Sequence, residues 1–401
     1  MTPTEGTHAT TASGQYAIAA AALAILLAGT FMPTPLYELY RRVWGLTPAE
    51  ISLVFAVYAG TLIPALLFLG GMSDRIGRRR TLLLAIALMA LSAVLLALAT
   101  GLWWLVAARL VQGAAMGIGV GTATVAIREW MDASMRPRAG VVSSVAVGVG
   151  SAIGALLGGV LGQYGPLPLA LPYLVYIGLL ACIALAIAMV PSCAHLQPAT
   201  HTTFPKIPAN IRRPFLVASG QSLILWSAFA LFFSLVPSFP SKTLGLHNLV
   251  VGALVVVGVQ FGSVGASVAG RTLPARTAII GGLLTIGGGV WLLLLAVPLH
   301  AVALVVVSTL AVGIGGGLGY LAGLNIVGTI APPDHRAEVM SAFFVANYLG
   351  FSVPALAVGI AANWFGLYAS LVAAAIVLGV LALTTIFLTT DRNLRVSAES
   401  A

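Results

Sequence analysis

Charge is what this sequence has least of. Of its 401 residues only 7% are Asp, Glu, Lys or Arg, while 60% are hydrophobic. A soluble domain carries about 25% charged residues, so a soluble fold is excluded. Cysteine is nearly as scarce. Cys182 lies in an apolar run and Cys193 in the polar stretch after it, which rules out a disulfide framework. Cys193, His195 and His201 lie close in sequence, but their spacing fits no common site, so no metal is expected. No phosphate-binding loop, catalytic triad signature or metal-ligand helix occurs, which argues against an ATPase or a membrane enzyme and leaves no cofactor expected. Polar and apolar residues do not alternate, so a transmembrane barrel is excluded.

What the sequence does have is apolar runs of 18 residues or more from end to end, with a mean hydropathy of +1.05. About 20 apolar residues cross a hydrocarbon core. Without water to satisfy the backbone there, each run must be helical. Twelve spans follow: 16–37, 48–71, 80–99, 102–126, 139–162, 170–190, 215–237, 248–269, 276–297, 301–325, 334–361 and 367–389. The first 15 residues lack Lys and Arg, so the first run reads as a retained helix rather than a cleaved signal. Residues 192–213 contain Pro198, Pro205 and Pro208 with Lys206, Arg212 and Arg213, and form the longest polar connection. They read as a linker between six-helix halves 1–191 and 214–401.

The net charge of +9 is explained by topology rather than by nucleic acid, which is not an expected partner. With both termini cytoplasmic, that side receives Arg75, Arg78, Arg79, Arg80, Arg128, Arg136, Arg138, Lys206, Arg212, Arg213, Arg271, Arg276, Arg336, Arg392 and Arg395. The opposite side receives Arg41, Arg42 and Lys242, and Arg109 falls inside the membrane. Such an excess sets orientation. A bacterial inner membrane is the expected location.

Between the second and third spans the chain reads Gly70-Gly71-Met72-Ser73-Asp74-Arg75-Ile76-Gly77-Arg78-Arg79-Arg80. One acid sits among clustered cations in a glycine-bounded turn, which a bias for basic loops alone does not explain. The fourth span carries Arg109, with Gln112 and Gly113 following on the same face. An intramembrane charge is costly and points to function. The fifth carries Gly150, Gly154, Gly158 and Gly162, a four-residue spacing that lets another helix approach closely. Gly258, Gly262 and Gly265 of the eighth span offer a partner from the other half. The first span ends Met32-Pro33-Thr34-Pro35, and two prolines break its regularity where backbone lines a cavity. Thr47-Pro48-Ala49-Glu50 reads as a capping box, which makes Glu50 structural.

These features together resemble the major facilitator superfamily. The turn is similar to its signature loop, with Met72 where Leu is usual. The fourth-span Arg and Gln-Gly are similar to its fourth-helix motif. Gly150 to Gly159 resembles its antiporter motif, with Ala155 where Pro is usual. The proline-rich end of the first span is similar to that of the drug–proton antiporter branch. The resemblance implies an all-α fold of two six-helix halves, working as a monomer by alternating access. It implies a latch of Gly70, Asp74, Arg75, Gly77 and Arg78, with Asp74 facing the start of the eleventh helix at Pro332-Pro333-Asp334. It also implies an acid–base pair of Glu129 and Arg136 after the fourth helix.

Arg109, Gln112, Tyr58, Gln221, Ser222, Trp226, Gln260, Tyr320, Asn325, Asn347 and Tyr348 are candidate cavity residues. No Asp or Glu falls near the midplane, so the candidate proton carriers are Glu38, expected near the outer surface, Asp74 and Glu129. The expected function is proton-coupled export of small amphipathic compounds, with the substrate, protons and the lipid bilayer as partners. The alternatives are a uniporter or uptake symporter of a small metabolite, anionic ones included, and a ligand-binding membrane protein that does not transport.

Overall fold

In this computed structural model, residues 6–191, 207–234, 248–332 and 336–390 are described. Among them are twelve helices long and apolar enough to cross a bilayer, and no strand. The pieces Gly6–Phe31 and Pro33–Trp44 continue one another across Met32 and form α1. The others are α2 (Pro48–Leu69), α3 (Arg78–Ala97), α4 (Leu102–Glu129), α5 (Ala139–Tyr164), α6 (Leu171–Met189), α7 (Arg212–Ser234), α8 (Leu249–Ala269), α9 (Ala275–Ala296), α10 (Val302–Ile330), α11 (Arg336–Phe365) and α12 (Leu367–Thr390). The chain is a multi-pass all-α membrane protein. Its outer surface carries large apolar side chains such as Trp103, Trp364 and Phe387, as lipid contact requires.

The expected end of α1 at residue 37 is corrected to Trp44. Pro33 and Pro35 do not stop the helix, because proline is tolerated wherever the freed carbonyl finds another donor. The Thr47 capping box forms as expected. The Thr47 amide donates to the Glu50 carboxylate at 2.7 Å, and the Glu50 amide donates to the Thr47 hydroxyl at 3.3 Å.

The chain divides into two compact units, Met1–Trp44 with Gly60–Thr202, and Gly45–Ala59 with Thr203–Ala401. The first half of α2 therefore groups with the second unit. It is held there by Ser52 against Gly359, by the Ala49 amide donating to the Asn363 carboxamide at 3.4 Å, and by Phe55 against Phe351 with centroids 4.5 Å apart. Most of the expected linker, 192–206, lies outside the described residues.

Lipid tails are as apolar as leucine, so helices in a bilayer associate through close packing rather than water release. Glycine makes that packing possible. A Cβ on Gly150, Gly154 or Gly158 would fall 2.2, 2.0 or 2.1 Å from the carbonyl oxygen of Ala24, Ala28 or Met32. The glycine row of α5 thus lies on the backbone of α1, within its own unit. The expected pairing of that row with α8 is corrected. The α8 glycines serve α10 instead: Gly258 meets Thr309, and Gly262 meets Leu310 and Gly313. Gly265 has open space around it. The two units repeat one pairing scheme. Gly117 of α4 lies on α2 at Leu62 and Ala65, as Gly313 and Gly317 of α10 lie on α8 at Val259 and Ser263. Gly350 of α11 lies on α7 at Leu223, as α5 lies on α1.

Gly154→Ala should therefore destabilise the protein by roughly 1–3 kcal/mol, since backbone rather than a flexible side chain must move. Gly265→Ala should leave the unfolding temperature within about a degree of wild type, because its surroundings are open. Thermal unfolding in one detergent compares the pair, and equal effects would contradict the packing described.

Candidate functional site

In the first unit, the site begins with the missing amide of Pro33. A helix hydrogen bond from residue 33 would end on the Gly29 carbonyl, and proline cannot donate it. Gln112 of α4 takes the place, its Nε2 donating to Gly29 O at 3.0 Å. Its Oε1 accepts from Arg109, which donates also to the Thr30 carbonyl at 3.1 Å and to the Tyr37 hydroxyl. Arg109 is 2% exposed. Its two terminal nitrogens reach three acceptors, an arrangement that an ammonium would not reproduce. Around this centre stand Tyr40, hydrogen-bonded to Tyr173 at 2.6 Å, and Tyr176, donating to Ile25 O at 2.8 Å. Arg109 and Gln112 thus fasten α4 to the proline-interrupted part of α1.

Glu38, one residue beyond Tyr37, is 7% exposed. It is ion-paired to Arg41 at 3.0 Å and Arg42 at 3.1 Å, one turn along the same helix. Expected near the outer surface, Glu38 is enclosed by protein. Among the described acids it is the buried one.

The α2–α3 turn is a one-turn helix, Met72–Ile76, closed by Gly77 at φ +90°, a backbone conformation that favours glycine. Arg78 then reaches back to Asp74 at 2.5 Å and grips Glu129 through two parallel bonds of 2.9 and 3.0 Å. Two-pronged arginine–carboxylate pairing is the strong form of such contacts. Glu129 pairs with Arg78, not with Arg136 as expected. The reason is geometric: Arg78 opens α3 and Glu129 closes α4, and these two helices pack side by side. Arg75 is exposed, and Gly70 packs over the Leu66 carbonyl. The far side of the expected latch contact, Pro333-Asp334, lies outside the described residues.

In the second unit, Gln221 is 0% exposed and its side-chain amide fills a notch made by Gly319 and Gly323 of α10. A Cβ on Gly319 would fall 1.8 Å from Gln221 Nε2. Trp226, about one turn further along α7, makes edge contacts with Tyr320 at 5.9 Å and Phe351 at 5.7 Å. Tyr320 stacks on Phe343 at 6.4 Å, and Tyr58 lies 6.5 Å from Phe351. Asn347 sits on α11 one turn from both Phe343 and Phe351, at 2% exposure. Neither carboxamide has a hydrogen-bond partner in the protein, and neither do Ser222 Oγ and Trp226 Nε1. Of the other buried hydroxyls on α7, Ser227 donates to Leu223 O and Ser234 to Ala230 O, while Ser219 Oγ also has no partner. Buried polar groups without partners are rare in folded proteins and call for an explanation.

The sequence-stated cavity residues thus separate into two constellations, Arg109 with Gln112 in one unit and Gln221, Trp226, Tyr320 and Asn347 in the other. Tyr58 belongs with the second. Gln260 is buried on α8, while Asn325 is exposed. The α10 notch was not anticipated. Its signal is the density of glycine at 313, 315–317, 319 and 323.

Twelve spanning helices in repeated six-helix halves define a class of polytopic membrane proteins. Within that class the match is specific: residues 18–353 fit the Major Facilitator Superfamily, and the chain belongs to that family. The fold is similar to that of a bacterial homolog of the human lysosomal transporter Spinster. Its inward-facing, unoccupied crystal structure has a TM-score of 0.75 at 15% identity, covering 94% of this chain and 97% of that one. The occupied form gives 0.72 at 17%, covering 94% and 96%. Partial sequence matches reach a triacylglyceride transporter of Mycolicibacterium hassiacum (35% identical, 37% of this chain) and the niacin transporter NiaP of Acinetobacter baylyi (30%, 28% of this chain). A third is the class B tetracycline resistance protein of Escherichia coli (34%, 29% of this chain). The matched stretches span only 28%, 26% and 29% of those relatives' own lengths.

The two arginine centres differ in burial, and that difference is measurable. Arg109→Gln leaves buried acceptors on α1 unpaired and should cost at least about 1–3 kcal/mol. Arg78→Gln breaks contacts to half-exposed carboxylates and should cost at most about 1 kcal/mol. Chemical unfolding of both variants tests this, and a larger loss for Arg78→Gln would contradict the assignment of Arg109 as the buried fastener.

Proposed function

We propose that this chain is a secondary active transporter that exports small amphipathic compounds in exchange for protons. Family membership supports transport as the class of activity. The likeness to part of a tetracycline resistance protein favours export, whereas that to part of a niacin transporter keeps uptake of a small metabolite as the second reading. The proposed halves are 1–191 and 214–401, with both termini in the cytoplasm of a bacterial cell and the protein acting as a monomer. Gly70, Asp74, Arg75, Gly77 and Arg78 would form the latch that changes when access alternates.

The observation that carries proton coupling is Glu38. It is a carboxylate enclosed by protein, tied to two arginines and adjacent to the tyrosine that Arg109 holds. Protonation removes its charge and so weakens both ion pairs, which gives α1 two states that differ by one proton. In the proposed orientation this residue lies toward the outer side, where an exporter takes up its protons. Asp74 and Glu129 share a single arginine in the half-exposed turn, a position better suited to gating than to a shielded proton path.

The test uses N-phenyl-1-naphthylamine as an uncharged amphipathic probe in proteoliposomes. Wild type should accumulate it under a pH gradient and should also exchange it with no gradient. Glu38→Gln mimics the protonated acid. It should lose gradient-driven accumulation by about tenfold or more, equivalent to at least about 1.4 kcal/mol of drive, while exchange persists. Full accumulation in the mutant would place coupling elsewhere, and loss of both activities would make Glu38 structural.

A further inference from the structure

The orphaned polar groups of the second unit carry more than their burial. Asn347 lies between Phe343 and Phe351 on one face of α11, each a turn away. Those rings lean on Tyr320 and Trp226 respectively. Asn347 therefore shares a helix face with two rings of this aromatic cluster, and both of its side-chain polar atoms are unpaired. Trp226 adds an indole N–H that can only donate and has no acceptor. Gln221, in its glycine notch, adds a second unpaired carboxamide from α7, which packs against α11. In a membrane-embedded core such groups are costly unless something pairs with them.

We infer that these six residues, Gln221, Trp226, Tyr320, Phe343, Asn347 and Phe351, recognise an uncharged aromatic compound bearing a carboxamide or lactam edge. The inference rests on the transporter reading above and names the substrate class of that transporter. Each element of the ligand answers an element of the site. The ligand's flat ring would extend the edge contacts that Trp226 makes with Tyr320 and Phe351. An amide edge offers one donor and one acceptor side by side, matching the acceptor and donor of a protein carboxamide. Its carbonyl has lone pairs enough to accept from the indole as well. The six residues supply neither cation nor carboxylate, so a charged ligand would lose its hydration without a counter-charge. Discrimination should be sharp, because a site built to hydrogen-bond an amide leaves its own groups unpaired when the amide is missing.

The experiment measures equilibrium binding to the full-length protein in lipid nanodiscs, with no gradient, using three probes of one ring size. 2-Naphthamide carries the whole amide edge, N,N-dimethyl-2-naphthamide lacks the donor, and 2-naphthoate is the anion. Saturable binding of 2-naphthamide is expected, with the other two weaker by about tenfold or more. Asn347→Leu keeps the branching of the side chain but removes both polar atoms. It should weaken 2-naphthamide by about tenfold or more and leave the ligand-free unfolding temperature equal to or above wild type, since an unpaired buried amide has been removed. Trp226→Phe should weaken 2-naphthamide while changing the unfolding temperature little. Absence of 2-naphthamide binding, equal or tighter binding of 2-naphthoate, unchanged affinity in Asn347→Leu, or a lowered unfolding temperature in that variant would each overturn the inference. The gradient-driven assay is separate. If it fails while this binding pattern holds, the export reading falls and the recognition stands. If flux persists while the pattern fails, only the recognition falls.

Discussion

The hydrogen bond from Gln112 to the Gly29 carbonyl is the contact on which the first unit depends. A proline in a membrane-spanning helix leaves a carbonyl with no amide below it and no water beside it. Some other donor must come to that point. Here α4 supplies it, and the carboxamide that arrives also holds a guanidinium, which in turn takes the next carbonyl and a tyrosine. One backbone vacancy thus organises a polar cluster joining two helices. The cluster lies next to Glu38, so a change of charge there bears directly on the segment that the prolines already make irregular.

The same rule, that polar groups in a bilayer must be satisfied within the protein, gives the second unit its meaning. Most buried hydroxyls close on a carbonyl four residues back, and Thr30, Ser151, Ser227 and Thr309 all do so. Gln221, Ser222, Trp226 and Asn347 do not. Gln221 lies where α10 is stripped of side chains by glycine, and Trp226 packs against Tyr320 of the same helix. Close approach costs side-chain freedom little at glycine and gains dispersion contacts along the whole row. Packing and recognition here share one feature of the sequence.

The fold was legible because its signals are local. Apolar runs mark the spans, the Thr47 to Glu50 box marks the start of α2, and the Gly77 turn marks the α2–α3 connection. What was not legible is which distant surface each local signal meets. The α5 glycines identify a contact face but not its partner. Ala24 and Ala28 on α1, spaced like the glycines, are a signal that α8's own glycines obscured. The family resemblance pairs Glu129 with Arg136, whereas a side-by-side pair of helices brings Arg78 from 51 residues away. Buried carboxamides are visible in a sequence as residue types, but not whether they are paired. That depends on the glycines of another helix, a hundred residues on, and only the structure brings Gln221 to Gly319.

In the proposed exchange, outward movement of an amphipathic compound is tied to inward movement of protons. The most direct measurement loads proteoliposomes with the pH-sensitive dye pyranine and adds N-phenyl-1-naphthylamine on one side with no initial pH gradient. The expected result is a change of internal pH that follows probe movement, reverses sign when the probe gradient is reversed, and is absent from protein-free liposomes. Probe movement with no accompanying proton movement would contradict it.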